Sequence, residues 1–326
     1  MSTEEEDLTI DPAFQPSADD VSYDLQRALS SVVALRSQIS EDALTASMLG
    51  TERAGHGVVI GEKGLVLTVG YLVTEAESIW LVDINGLAVP GHAMGYDQET
   101  GLGLVQALGQ LNVPAIPIGS SSDLAVGDPV ILAGHGGTQN ATKAKIVSKR
   151  EFAGYWEYVL DEGIFTSPPH PSWGGAALIN ADGELCGIGS LFVQQSLPGS
   201  ERHDGNLIIP IDLLKPILDE MMQFGRRQKA PRPWLGMITT EVNDALVVAG
   251  LVDGGPADDS GISVGDIVLG VNGEPVTDLA NLFRQIWALG SAGTQVPLNL
   301  QRGEDQMDVV VNSVSRYDML KAPNLH

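Results

Sequence analysis

Cysteine is almost absent from this chain of 326 residues, in which Cys186 stands alone. No internal disulfide can form, and no pair of thiolates is spaced to hold a metal. A single cysteine between Leu185 and Gly187 reads as a small core residue. Basic residues are scarce as well: 18 Lys and Arg face 42 Asp and Glu, for a formal net charge of -24. Such a chain repels phosphate backbones and anionic lipid surfaces, so neither nucleic acid nor a membrane is expected as a partner. Long hydrophobic runs are missing too, with no stretch of about 18 apolar residues. The opening MSTEEEDLTIDP is acidic where a signal peptide would be basic. These absences together lead to the expectation of a cytoplasmic protein.

An apolar fraction of 43% is enough for a buried core, and the length suggests two domains. Residues 1–20 are rich in Glu, Asp, Ser and Pro and are expected to form a disordered acidic tail. YDLQRALSSVVAL begins with helical spacing and ends in the β-branched pair Val32 and Val33, which suits entry into a sheet. Short apolar runs then follow, namely GVVI, LVLTV, IWLVDI, GLVQAL and PVILAG, separated by Gly, Asn and Asp turns. Many short strands without intervening helices predict an antiparallel barrel or sandwich. Asn85-Gly86 reads as a type I′ hairpin turn. After Pro210, Asp212 can cap a helix carrying Leu214, Ile217, Leu218, Met221 and Met222, which Gly225 stops. GRRQKAPRP looks like an exposed tether. Beyond it, TDLANLFRQIWALG places Leu279, Leu282, Phe283 and Ile286 on one helical face, with Thr277 or Asp278 as cap.

Four stretches carry a resemblance to a known family: GHGVVIGEKGLVLTVGYLV, YDQETGLGLVQAL, PSWGGAALINADGELCGIGS, and PRPWLGM with GGPADDSGISVGDIVLGVNGEPV. From about residue 30 to 315 the chain resembles the HtrA family, which joins a trypsin-like protease domain to a C-terminal PDZ domain. The resemblance implies a mostly β fold, a trypsin-like double antiparallel β-barrel followed by an α+β PDZ domain. The expected boundaries are 21–224 for the barrels, 225–233 for a linker, 234–316 for the PDZ domain and 317–326 for a tail.

The departures from the family pattern decide the expectation of function. The family's general base would fall on Tyr71, whose phenol titrates far above neutrality. Its orienting aspartate would fall on Gly101, and its nucleophile on Trp173, an indole with one N–H and no nucleophilic atom. The second oxyanion donor would fall on Pro171, which has no N–H. The chain is therefore expected to be a pseudoprotease without enzymatic activity, a binding or scaffold module needing no cofactor and no metal. The alternative is a rewired serine endopeptidase using Ser172, for which His56, His92, His135, His170 and His203 are candidate bases.

The PDZ-like half keeps what peptide binding needs. Its family takes a free peptide C-terminus as an added strand and holds the carboxylate on backbone N–H groups. Trp234, Leu235, Gly236 and Met237 would form that loop, Ile238 would begin the pairing strand, and Leu279 and Phe283 would line a side-chain pocket. The resemblance also implies a homotrimer, for which Leu25, Leu29, Val32 and Val33 could supply the contact; the alternative is that these four residues close the first barrel.

Overall fold

The structure, a computed structural model, describes residues 9–194 and 203–321. Of the tails expected at 1–20 and 317–326, residues 1–8 and 322–326 lie outside the described residues. The chain divides into two compact units. The first holds residues 1–150, 162–227 and 322–326, and the second holds 151–161 with 228–321.

The first unit contains two closed six-stranded barrels. β1 (Val32–Ile39), β2 (Glu52–Gly61), β3 (Leu65–Val69), β4 (Ala76–Val82), β5 (Ala88–Asp97) and β6 (Leu102–Ala107) close in the order β1-β2-β3-β6-β5-β4. β7 (Pro129–Ala133), β8 (Ala141–Gly154), β9 (Tyr158–Ser167), β10 (Ala177–Ile179), β11 (Leu185–Val193) and β12 (Gly205–Pro210) close in the order β10-β11-β12-β9-β8-β7. Closure leaves no free strand edge, the usual solution for all-antiparallel chains. The expected apolar runs all fall on strands except at their ends, where Asp83, Ile84, Leu108 and Gly134 lie beyond, and LVLTV is β3 itself.

The segment before β1 shows how local chemistry sets the entry. Asp24 accepts the Arg27 N–H at 3.0 Å and caps a helix over Leu25–Ser30. The helix gives way where the β-branched pair begins, because Val32 and Val33 lose rotamer freedom in a helix and pack well in a sheet. Leu25, Leu29, Val32 and Val33 are all buried within this unit. The apolar surface expected to offer an oligomer contact is thus spent on the chain's own core. Residues 9–20 are also ordered: Ile10 is buried, and Ser17 and Asp20 cap one another.

The Asn85-Gly86 turn is wider than the type I′ turn its sequence predicts. Gly86 takes a left-handed φ of 84°, but Asn85 does not. The buried Asp83 carboxyl accepts the N–H groups of Asn85 at 2.9 Å and Leu87 at 3.0 Å, which spreads the reversal over five residues, 83–87. A local side-chain acceptor has displaced the tight turn.

The second unit is a sheet ordered β13-β14-β15-β17-β18, with β16 paired to β15. Its strands are β13 (Met237–Val242), β14 (Ala245–Leu251), β15 (Ile267–Val271), β16 (Glu274–Pro275), β17 (Gln295–Arg302) and β18 (Asp305–Asn312). A helix over Leu279–Ala288 buries Leu279, Leu282, Phe283 and Ile286 against the sheet. Asp278 caps it by accepting the Asn281 N–H at 2.8 Å.

Candidate active site and peptide site

The loop between β9 and β10 carries Pro171, Ser172 and Trp173, all half-buried. It is stitched to β2 by backbone: the His56 N–H donates to Gly174 O at 2.8 Å. Gly175 sits where only glycine fits, at a φ of 80° with the His56 carbonyl oxygen 1.9 Å from where a Cβ would stand. That close approach fixes the loop and brings the side chain of His56 to it.

His56 lies on β2 with its Nε2 2.9 Å from Ser172 Oγ and 3.2 Å from Ser172 O. Its other nitrogen, Nδ1, accepts the backbone N–H of His135 at 3.1 Å. An imidazole whose Nδ1 accepts must carry its proton on Nε2, so in this state His56 donates to Ser172 rather than withdrawing its proton. Burial pushes the His56 pKa down to about 3, and the neighbouring His170 and His135 add to that shift. His170, fully buried, is fixed in the same tautomer: its Nδ1 accepts the Ser172 N–H at 3.0 Å, and its Nε2 lies 3.0 Å from Asn140 O.

Tyr71 and Trp173, at the two positions where the family resemblance sets base and nucleophile, also meet here. The Tyr71 hydroxyl donates to Ser190 O at 2.9 Å, and burial raises its pKa while a hydrogen bond with Trp173 works against the shift. The Trp173 ring lies 5.8 Å from that of Phe192. Gly101 packs against the turn carrying Tyr71, its carbonyl accepting the Gly70 N–H at 2.7 Å. Its φ is 77°, so a side chain there would be strained. Nearby Asp97 is buried and structural: it accepts the Thr100 N–H and hydroxyl and pairs with Arg227 at 3.1 Å. His92 lies on β5 opposite Gln106 of β6, and the His203 N–H donates to Gln194 O at 2.9 Å. Cys186 is buried, with its thiol pushed up to about 11 by burial, which leaves it inert.

In the second unit the peptide-site residues expected from the sequence lie together at the start of β13. Trp234, Leu235, Met237, Leu279 and Phe283 are buried, and Ile238 is half-buried. Gly236 takes a φ of 71°, the left-handed conformation that turns consecutive N–H groups to one side. Glu157, between β8 and β9, fills the concavity: its Oε1 accepts the N–H groups of Leu235 at 3.1 Å, Gly236 at 2.9 Å and Met237 at 3.3 Å. Sequence reasoning passed over this residue. Its partners are 78 to 80 positions away, and the only local signal is an acidic residue at a turn.

The barrels, the glycine-held loop and the PDZ-type sheet define a trypsin-like peptidase fold followed by a peptide-recognition domain. Family models agree, matching a trypsin-like peptidase domain over residues 55–188 and a PDZ domain over residues 233–312. The two matches follow one another along the chain in the order that the resemblance to the HtrA family implies. The chain is 28% identical over 278 residues, 80% of its length, to the "Probable periplasmic serine endoprotease DegP-like" of Pseudomonas putida (strain W619). It is 27% identical over 270 residues, 78% of its length, to the periplasmic serine endoprotease DegP of Escherichia coli (strain K12). The matched region spans 56% of each of these relatives. Among solved structures, an HtrA-type protease AlgW with decapeptide superposes with a TM-score of 0.52 at 21% identity, covering 92% of this chain and 98% of that one.

Two expectations are corrected by these findings. The reading of the chain as a pseudoprotease, not an enzyme, rested on Tyr71, Gly101, Pro171 and Trp173; the relatives are named serine endoproteases, which points to an enzyme. The sequence offers five candidate bases for Ser172 and no spacing that selects among them; the fold brings one, His56 on β2, within 2.9 Å of its hydroxyl. The expectation of a cytoplasmic protein is overturned because the relatives are named periplasmic. Low cysteine content and acidity carry no compartment signal: a chain with one cysteine forms no internal disulfide on either side of a membrane. Among the described residues, no helix is long and apolar enough to cross a membrane.

Proposed function

We propose that this chain is an HtrA-type serine endopeptidase in which Ser172 and His56 replace the family's triad, and in which the PDZ domain recognises peptide C-termini. The observation that carries the first part is the 2.9 Å approach of His56 Nε2 to Ser172 Oγ, one residue before the position of the family's nucleophile. The names of the relatives support it.

The chemistry defines what must change for turnover. Ser172 Oγ attacks a peptide carbonyl only if its proton passes to His56 Nε2, so Nε2 must first be unprotonated and the proton held on Nδ1. The His135 N–H now occupies Nδ1. The segment carrying His135 is followed by Gly136 and Gly137, with φ of 123° and 72°, so its backbone conformation depends on residues without side chains. Withdrawal of the His135 amide on substrate binding would release Nδ1 and allow the other tautomer. Resting geometry short of the reactive arrangement is common before substrate binds. The proton taken up at Nε2 then goes to the leaving amine.

A fluorophosphonate probe tests this directly. Labelling of the full chain that disappears in Ser172→Ala and falls in His56→Gln is the expected outcome. Labelling that persists in Ser172→Ala removes Ser172 as nucleophile, and no labelling in the presence of a cleavable peptide removes the serine mechanism.

The PDZ part rests on the left-handed Gly236 and the consecutive inward N–H groups of Leu235, Gly236 and Met237, with Ile238 opening the pairing strand and Leu279 and Phe283 below. Solved relatives with bound peptide support it.

A further inference from the structure

The carboxylate loop of the second unit is already satisfied by the chain itself. Glu157 Oε1 takes three consecutive backbone N–H groups, and Leu235 also reaches Oε2 at 3.3 Å. Convergence of three N–H donors on one carboxyl oxygen is how such a loop would hold the terminus of a peptide. Glu157 is buried, so water does not share these donors.

The turn carrying Glu157 also meets β13 through its backbone. The Tyr155 carbonyl accepts the N–H of Thr239 in β13 at 3.3 Å, on the strand expected to pair with a peptide. Val159 is part of the core of this unit, and Ala153 packs against it. Arg284, on the helix that lines the site, bonds Asp161 at 2.6 Å and also pairs with Glu151, clamping both sides of the tip.

A third observation concerns conformation. Glu157 has a φ of 61°, a left-handed turn position that glycine or asparagine occupies at less cost. Strain held at a residue whose side chain makes three hydrogen bonds points to a role for that side chain.

We propose that the tip over residues 151–161 is a built-in ligand of the PDZ groove, with the Glu157 carboxylate standing in for a peptide's C-terminal carboxylate. A partner with a free C-terminus enters only by ejecting Glu157. Its apparent affinity is reduced by the fraction of molecules in which the groove is filled. The proposal rests on the reading of this unit as a peptide site, and the test separates the two.

The test uses the full chain and a fluorescein-labelled ten-residue peptide ending in valine with a free carboxylate, beside the same peptide amidated. Glu157→Asn suits the left-handed turn and lacks the reach and charge; Glu157→Gln keeps the length and loses the charge. Thermal unfolding verifies that both variants fold. Both should bind the free-carboxylate peptide at least about 10-fold more tightly than wild type, with no such gain for the amidated one. Equal affinity of wild type and both variants overturns the internal-ligand proposal and leaves the peptide site standing. No binding by any of the three proteins overturns the peptide site and the proposal with it. Wild type alone gives a second reading, since saturating free-carboxylate peptide should speed hydrogen exchange across 151–161, and unchanged protection with peptide bound overturns the proposal.

Discussion

The two units depart in opposite ways from the pattern they resemble. The loop beside β10 is held by a glycine packed against the His56 carbonyl, while the resemblance sets base, orienting acid and nucleophile on Tyr71, Gly101 and Trp173, residue types that cannot fill those roles. The start of β13 has the left-handed Gly236 and the flanking donors that the proposed peptide site needs, but those donors are engaged by Glu157. Shape and chemistry are therefore separable: close backbone contacts preserve a loop whose side chains have changed, and intact donors say nothing about whether they are free.

The sharpest way to break the comparison is to attack the shape. Gly175→Ala puts a Cβ against the His56 carbonyl oxygen at a φ of 80°, and backbone cannot yield as a side chain can. A loss on the order of 4 kcal/mol or more is expected, seen as a lowered denaturation midpoint of the barrels. A tolerated alanine would show that the loop is not held by this contact.

The remaining predictions use pH, to which the two sites should respond with opposite sign. Glu157 has its pKa raised to about 7 by burial, against the opposing pull of the N–H groups of Leu235, Met237 and Gly236 and the charge of Arg316. Its ordinary value is 4.5. Between the two the folded state binds more protons than the unfolded one, so its contribution falls as pH rises from about 4.5 to about 7 and is flat above. The change is about 3 kcal/mol. Hydrogen-exchange protection of the amides of 235–237, corrected for intrinsic rates, should drop from pH 5 to pH 8 in wild type and stay level in Glu157→Gln.

His56 behaves in reverse. Its folded pKa of about 3 lies below the ordinary 6.5, so the unfolded chain takes up protons first and stability is lost as pH falls below about 6.5. At pH 5 the loss is about 2 kcal/mol. His170 is shifted the same way by burial. Protection of β2 amides should fall from pH 7.5 to pH 5, less steeply in His56→Gln. Matching slopes in both units would end the contrast.

Local chemistry made much of the fold legible. LVLTV and PVILA are strands because they are short apolar runs rich in β-branched residues and bounded by turn signals, and Asp278 caps the PDZ helix from its own sequence position. The Asn85-Gly86 turn went astray because an upstream carboxyl competed for its N–H groups. Of the sites, the residues around Gly236 could be read from their order along the chain, whereas the His56–Ser172 approach joins residues 116 positions apart and is created where the loop before β10 meets β2 of the other barrel. Glu157 was invisible for the same reason: nothing within its own stretch of chain says that its side chain will meet β13.

Gly101 has a bearing on engineering. With its φ of 77° and its carbonyl tied to Gly70, the position resists a carboxylate through its main chain, before any question of what the carboxylate would orient. An aspartate placed there must pay the left-handed penalty of roughly 1–2 kcal/mol or unlatch the Gly70 contact and move the turn that carries residue 71. Installing histidine, aspartate and serine at 71, 101 and 173 is therefore a problem of loop remodelling, and a library that varies only those three letters searches the wrong space.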